Sequence, residues 1–204
     1  MTVKLQQEDI DVRKANSNDI DAIDNINTIA FNGSSEKELV RKLRVGKTYV
    51  KDLSLVADID VNLASAILFK KSSNQFELVS DSMRKQIGYI MLTEVSIQND
   101  EGKLYNEGIL ALAPVSVVPA FQKMGVGKKM IETSIKKAKQ LGYSLIIVLG
   151  HKEYYSKFGF ETSKKYGITS PFNVPDENFM ILKLNDFSNE IRGLVVYPDE
   201  FYIV

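Results

Sequence analysis

The stretch that decides the fold is Pro114–Ile131, which has the sequence PVSVVPAFQKMGVGKKMI. Its first part, Val115–Val118, is rich in β-branched residues and predicts a buried strand. Pro119 ends that strand, because a proline has no N–H to donate to a neighbouring strand. Two glycines follow, and Lys128–Leu141 then carries apolar residues at helical spacing. The segment is therefore predicted to form a strand, a tight loop and a helix.

The predicted loop is suited to binding an anion. The first turn of a helix leaves amide groups without intrahelical partners, and the helix dipole adds partial positive charge there. A loop that runs into such a turn can direct several amides at one phosphate or diphosphate. Gly125 and Gly127 have no Cβ that would block the approach of a ligand to the backbone. Lys123, Lys128 and Lys129 add positive charge nearby.

Two well-known phosphate-binding loops do not fit this sequence. A Walker loop needs a glycine where the chain has Gln122, and a serine or threonine where it has Lys129. The dinucleotide fingerprint needs three glycines, and only Gly125 and Gly127 are present. What remains is Gln122-x-x-Gly125-x-Gly127 after a strand. A tight connection that binds no ligand would also satisfy this pattern.

The composition is that of an ordinary globular chain. Its 204 residues can bury a sizeable core, and we expect a single domain. The 26 basic and 26 acidic residues balance, so no nucleic-acid partner is predicted. Cysteine is absent, which excludes disulfides, zinc–thiolate sites and a cysteine nucleophile, and no metal site is predicted. No apolar run reaches the ~20 residues of a membrane span, so we expect a cytoplasmic protein without membrane contact.

Elements around the central segment predict a mixed α/β fold. Strands are expected at Ile10–Lys14, Ser54–Ala57, Gly88–Leu92 and Leu145–Leu149, with a closing pair of Phe160–Tyr166 and Asn178–Leu184. A first helix is expected to bury Ile20, Ile23, Ile26 and Ala30. A second helix, Glu36–Val45, is expected to bury Leu39, Leu43 and Val45. A short helix is expected at Glu153–Phe158. Between the second and third strands, we predict a hairpin-like extension or longer strand pair, with strands at Ala64–Phe69 and Gln75–Val79.

The strand Leu145–Leu149 follows the central helix directly. A strand, a crossover helix and a second strand usually form a parallel pair. We therefore predict a sheet that is mostly antiparallel, with Val115–Val118 and Leu145–Leu149 as its one parallel pair. Where two such strands diverge, a crevice opens beside the N-terminus of the helix. Gly150 and His151 are expected at that crevice.

A second motif, Tyr155-Ser-Lys-Phe-Gly159-Phe160, follows one short predicted helix after that strand. Together with Gln122-x-x-Gly125-x-Gly127, it resembles the GCN5-related N-acetyltransferase (GNAT) family, and Gly150–Phe160 looks like the YhbS-like branch, in which a proline is common at the position of Lys152. The resemblance covers nearly the whole chain except roughly residues 60–85, an expected insertion. It implies an α+β GNAT fold with a mostly antiparallel twisted sheet, one splayed parallel pair and about four helices.

The resemblance also implies a function. An N-acetyltransferase of this kind moves the acetyl group of acetyl-CoA to an amine acceptor, a small molecule or a peptide, by direct attack. Tyr155 would protonate the departing thiolate, since a phenol with a pKa of about 10 is protonated at neutral pH. Backbone groups of Val117 and Val118 would bind the pantetheine arm and polarise the thioester. The pyrophosphate would be held by the loop residues Gln122, Lys123, Met124, Gly125, Val126, Gly127 and Lys128.

Several alternatives stay open at the level of the sequence. The general base could be His151, Glu94 or a water, and Tyr154 could replace Tyr155 as the acid or simply pack. The donor could be another acyl-CoA, since the motif does not contact the acyl group. The alternative to an enzyme is a non-catalytic acyl-CoA-binding or regulatory domain. A third hypothesis makes the insertion a protein-interaction module, and a homodimer is left open. The sequence does not identify the acceptor.

Overall fold

The structure, a computed structural model, describes residues 5–71, 84–185, 187–188 and 190–202. Its α-helices are α1 (Ile20–Phe31), α2 (Ser35–Val45), α3 (Val61–Lys71), α4 (Val126–Gln140) and α5 (Lys152–Tyr155). Its strands are β1 (Asp11–Lys14), β2 (Tyr49–Asp60), β3 (Arg84–Glu94), β4 (Ser96–Gln98), β5 (Leu104–Tyr105), β6 (Ile109–Val117), β7 (Leu145–Leu149), β8 (Glu161–Thr162), β9 (Ile168–Thr169), β10 (Phe179–Lys183) and β11 (Gly193–Val196).

Seven of these strands form the main sheet, in the order β1-β2-β3-β6-β7-β10-β8. Neighbouring strands are antiparallel except β6 and β7, which are parallel. The mixed α/β fold with a mostly antiparallel sheet and a parallel central pair is therefore confirmed. A smaller sheet, β5-β4-β11-β9, was not predicted, because its strands have only two to four residues and carry a weak periodic pattern.

The parallel pair forms at a different place from the predicted one. Residues Ile109–Ala111 of β6 pair with Leu145–Ile147 of β7, and Val115–Val118 does not take part. Pro114 lies between the two parts of β6 and has no N–H for a ladder. The register of β6 on β3 also shifts across this point, which is typical of a β-bulge. As a result, the end of β6 pairs only with β3, and β7 diverges from it.

The core occupies both faces of the main sheet. Alternate residues along β6 and β7 belong to two buried clusters, one beneath α1, α2 and α4 and the other beneath the smaller sheet. Two residues that we predicted to be buried are exposed: Ile20 has 41% of its surface accessible and Val45 has 89%. Val45 lies two positions after buried Leu43, and such a step places side chains on opposite sides of a helix.

The segment Ala64–Phe69 is helical, so its prediction as a strand was wrong. Asp60 accepts hydrogen bonds from the amides of Asn62 and Leu63, at 2.8 and 3.3 Å, and so caps the start of α3. The longer strand pair predicted as the alternative does form, since β2 and β3 stay paired as far as Asp60 and Arg84. The predicted strand Gln75–Val79 lies outside the described residues.

Other element boundaries differ by a few residues from the predicted ones. The helix predicted from Lys128 begins at Val126. In the predicted strand Phe160–Tyr166, only Glu161–Thr162 pairs with β10, and Ser163–Tyr166 is a 3-10 turn. Over the stretches that the structure describes, no helix is both long enough and apolar enough to cross a membrane.

Candidate active site

The loop between β6 and α4 has the geometry of an anion-binding turn. Lys123 and Gly125 both have positive φ, at 62° and 88°, and Gly125 is the N-cap of α4. The amide of Lys129 donates to the Gly125 carbonyl at 3.0 Å, which is the first hydrogen bond of the helix. The amides of Val126, Gly127 and Lys128 precede that bond, and Gly125 has no side chain that could accept from them. These three amides are therefore available to an anion.

The N-terminal turn of the chain packs against this loop, a contact that the sequence did not indicate. The Gln7 side-chain amide donates to the Gly125 carbonyl at 3.5 Å, and Lys129 Nζ donates to the Gln7 carbonyl at 3.3 Å. A Cβ built on Gly125 would lie 2.2 Å from Gln7 Nε2. Both the positive φ and this close contact require glycine at position 125. On the other side of the loop, Gln122 Nε2 donates to the Val117 carbonyl at 3.1 Å.

The two valines at the end of β6 differ in what their backbones can bind. The Val118 amide donates to the Ile87 carbonyl at 3.0 Å, and its carbonyl accepts from the Phe121 amide at 2.8 Å. Because successive residues of an antiparallel strand point their backbone groups in opposite directions, those of Val117 point away from β3 and toward the gap left by β7. Of the two predicted pantetheine-binding residues, the geometry therefore favours Val117, whereas the Val118 amide is already used. Val115, two residues earlier, has the orientation of Val117.

Tyr155 lies at the end of α5, just beyond the carboxyl end of β7. Its ring packs directly on Gly150, where a Cβ would lie 2.2 Å from Tyr155 Cε2. Edge-to-face contacts with Tyr154 and Phe160, at centroid distances of 5.2 and 5.6 Å, fix the plane of the ring. Burial raises the pKa of Tyr155 above its usual value, and the neighbouring Tyr154 adds to this effect. The phenol is therefore protonated at neutral pH.

Tyr155 lines a cavity of about 360 Å³, which we call the splay cavity. Pro114 and Val115 of β6 and Leu149 at the end of β7 form the wall beside it. The cavity therefore joins the predicted phenol to the Pro114–Val115 part of β6, whereas the predicted edge residues Val117 and Val118 do not line it. The opposite wall, which sequence reasoning missed, comes from distant parts of the chain: Phe31, Glu36, Phe172, Tyr197 and Phe201. No local motif links these residues, although the aromatic residues near the C-terminus are a weak signal.

Tyr154 faces the anion loop instead of the cavity. A Cβ on Gly127 would lie 2.7 Å from the Tyr154 hydroxyl, so the absence of a side chain at 127 makes room for it. The ring also contacts Phe158 edge to face, at 5.4 Å. Burial raises the pKa of Tyr154 as well. The neighbouring tyrosines thus lie at different parts of the site, and the Tyr155 side chain is the one that lines the splay cavity.

The two side chains considered as the general base lie away from this cavity. His151 is exposed, and its backbone carbonyl accepts from the Tyr155 amide at 3.1 Å. Glu94 accepts a hydrogen bond from the Tyr143 hydroxyl at 2.9 Å and lines a separate cleft. Glu36 is the acidic residue among those lining the splay cavity. Among the residues described, no cluster of histidine and acidic side chains could hold a metal ion.

Comparison with protein families gives one match to this region. Residues 73–162 match the family model described as an acetyltransferase (GNAT) domain, and this span contains the anion loop, β7 and Tyr155. The chain is also 29% identical over 161 residues to YjhQ of Escherichia coli K12, an uncharacterised N-acetyltransferase. That match covers 78% of this chain and 75% of YjhQ.

Two solved structures share the fold over nearly the full chain. The N-acetyltransferase YhbS of Escherichia coli, solved in complex with CoA, superposes with a TM-score of 0.75 at 22% identity and covers 95% of this chain and 92% of its own. A GNAT acetyltransferase of Brucella melitensis, solved in complex with acetyl-CoA, gives a TM-score of 0.68 at 25% identity. That match covers 94% of this chain and 97% of the Brucella chain. The arrangement of strands, loop and helix described above is therefore that of these proteins.

Proposed function

Because this chain belongs to the GNAT family, as a YhbS-like acyl-CoA-dependent acetyltransferase, we propose that it acetylates an amine acceptor by direct attack on acetyl-CoA. Acetyl-CoA is its co-substrate. One observation carries the proposal: an anion-binding turn and a protonated phenol both follow the carboxyl ends of two diverging strands. The gap between the strands connects them.

The diphosphate of the coenzyme would bind at the start of α4. The amides of Val126, Gly127 and Lys128 can each donate to a phosphate oxygen, and the helix dipole favours negative charge at this end. Gly127 has no Cβ, and the space that a Cβ would fill is taken by the Tyr154 hydroxyl beside the turn. Lys123 and Lys128 are exposed and add positive charge around the same point.

The pantetheine arm would run from this turn along the open edge of β6. The amide and carbonyl of Val117 point into the gap, where they can pair with the amides of the arm as a further strand would. In this structure the Gln122 side-chain amide donates a hydrogen bond to the Val117 carbonyl. When the arm binds, this side chain would move aside or share the carbonyl as a second donor. Extending the arm along the strand brings its sulfur end toward Val115 and Tyr155, in the splay cavity. A backbone amide of this edge can then polarise the thioester oxygen.

The reaction needs no covalent enzyme intermediate. The lone pair of the neutral amine attacks the thioester carbon, so a C–N bond forms and the C–S bond breaks. The Tyr155 hydroxyl donates a hydrogen bond to the sulfur as the thiolate departs. The amine gives up a proton to water or to a base that we do not assign, and the thiolate takes up one proton from the solvent. Much of the rate would come from holding the two reactants in attack geometry.

The proposal is tested by mixing the purified protein with acetyl-CoA and a panel of amines, and following free thiol and the acetylated product. We expect thiol release that depends on the amine. Tight binding of CoA in a calorimeter, without amine-dependent turnover for any class of amine, would instead identify a non-catalytic acyl-CoA-binding domain. Failure to bind CoA at all would overturn the proposal at its first step.

A further inference from the structure

We infer that the acceptor is a primary amine on a compact apolar body, preferably an aromatic one, and that Glu36 binds its ammonium group before that group loses a proton to the solvent and attacks. This inference rests on the proposed function, because it names the substrate of the same site. It comes from the far wall of the splay cavity, which none of the sequence motifs contributes. The wall combines one carboxylate with several aromatic rings.

The aromatic part of the wall forms one continuous cluster. Phe172 contacts Tyr197 at a centroid distance of 5.1 Å, and Tyr197 contacts Phe201 at 4.9 Å. Phe31, at the end of α1, lines the same cavity and keeps 42% of its surface exposed. Aromatic faces attract both apolar groups and cations. An amine with a hydrocarbon or aryl body satisfies both properties of this wall.

Glu36 is placed to attract a cation. It lies in the first turn of α2, where the helix dipole favours negative charge. Within the described part of the chain it has no ion pair, whereas Glu38, two residues further along α2, lies within 4 Å of Lys37 and Arg41. A half-buried carboxylate that lines an apolar cavity can pair there with a cationic ligand.

The size and charge of the cavity restrict the acceptor further. The cavity has a volume of about 360 Å³, which is that of roughly a dozen water molecules. The acetyl-thioester end of the coenzyme must occupy part of this volume. The acceptor that remains is therefore a small molecule, or a single side chain. A carboxylate on the acceptor would meet Glu36 with like charge, so free amino acids should be poor substrates.

The first experiment compares three amines as substrates: 2-phenylethylamine, phenylalanine and ethanolamine. The first two share a ring and an amine and differ in the carboxylate, and the third retains the amine without the apolar body. We expect kcat/KM for 2-phenylethylamine to exceed that of either of the others by roughly tenfold or more, the effect of one charged contact or one buried ring. Equal or better turnover of ethanolamine or phenylalanine would overturn the inference and leave the proposed function intact.

The second experiment tests Glu36 itself. Glu36→Gln keeps the size of the side chain and removes its charge, and Glu38→Gln is the matched control on the same helix. We expect Glu36→Gln to raise KM for 2-phenylethylamine roughly tenfold or more, with KM for acetyl-CoA within twofold of the wild-type value. Glu38→Gln should leave both constants unchanged. An unchanged amine KM in Glu36→Gln would remove Glu36 from the acceptor site.

A binding measurement separates this inference from the proposed function. Titration of 2-phenylethylamine into the protein saturated with CoA should give heat that is lost in Glu36→Gln and kept in Glu38→Gln. If turnover is absent for every amine but this binding is found, the proposed function fails and the ligand class stands. If the wild-type protein does not bind 2-phenylethylamine, the ligand class is wrong whether or not another amine is acetylated.

Discussion

Replacing Tyr155 by phenylalanine tests the assignment of the acid. The change removes the hydroxyl and keeps the ring, which packs on Gly150 and against Tyr154 and Phe160. The fold and the affinity for CoA should therefore change little. What is lost is the hydrogen bond that the phenol donates to the sulfur as negative charge develops there.

The expected loss of rate follows from the acidities of the two groups. A thiol has a pKa of about 8.5 and a tyrosine about 10, and burial raises the pKa of Tyr155 further. Full proton transfer to the thiolate is therefore uphill by at least about 2 kcal/mol. The main contribution of the phenol is then a hydrogen bond to a charged group, worth about 1.5–3 kcal/mol. We expect kcat to fall by roughly 10- to 150-fold, at the lower end of general acid catalysis.

The assay is single-turnover release of free thiol at saturating amine, with CoA affinity measured by calorimetry. Tyr166→Phe is the control, because Tyr166 pairs with Glu161 on the surface and does not line the splay cavity. Tyr154→Phe identifies which of the adjacent tyrosines acts. A Tyr155→Phe variant that keeps its rate within twofold, or a Tyr154→Phe variant that loses more, would refute the assignment.

Three further results are expected. Gly127→Ala should weaken CoA binding more than tenfold, because its Cβ would lie 2.7 Å from the Tyr154 hydroxyl and would force a shift beside the anion-binding turn. Titration calorimetry with CoA checks this, and the double variant with Tyr154→Phe should recover affinity; a double variant as weak as Gly127→Ala would contradict the argument. Because burial raises the pKa of Tyr155, the phenol keeps its proton up to a pH of about 10. The kcat of the wild-type protein should therefore not fall as pH rises toward about 10, and a fall that is seen in the wild type but not in Tyr155→Phe would contradict this. Arg13→Met leaves two buried carboxylates without their partner and should cost about 3 kcal/mol, or roughly 6–12 °C in Tm by scanning calorimetry. Since burial would then raise the pKa of Asp19 above its unfolded value, this deficit should shrink as pH falls from 7 to 5, and a deficit that grows would contradict the argument.

The parts of the fold that the sequence predicted have strong local signals. β-branched residues, a proline stop, two glycines and a helical stripe locate β6, the loop and α4, and the motif around Tyr155 locates α5. Pro114 carried a further signal that our prediction did not use, since a proline inside a strand indicates an interruption of the ladder. That interruption is why the parallel pair forms at Ile109–Ala111 and leaves Val117 unpaired on one side.

The parts that could not be predicted depend on tertiary context. A short apolar run such as Ala64–Phe69 fits a strand or a buried helix equally well, and only the cap at Asp60 distinguishes them. Glu36 appeared in the sequence as an ordinary residue of a helix start. Its place in the splay cavity depends on how α2 meets the C-terminal aromatic residues, a contact that local patterns do not specify. The roles assigned to the site residues and the single-domain organisation of the chain remain predictions.

A crystal structure of the protein with acetyl-CoA tests the central claim most directly. We predict diphosphate oxygens about 2.7–3.2 Å from the amides of Val126, Gly127 and Lys128, with the coenzyme sulfur within hydrogen-bond reach of the Tyr155 hydroxyl. A diphosphate bound away from the start of α4, or a sulfur that no contact joins to Tyr155, would contradict it.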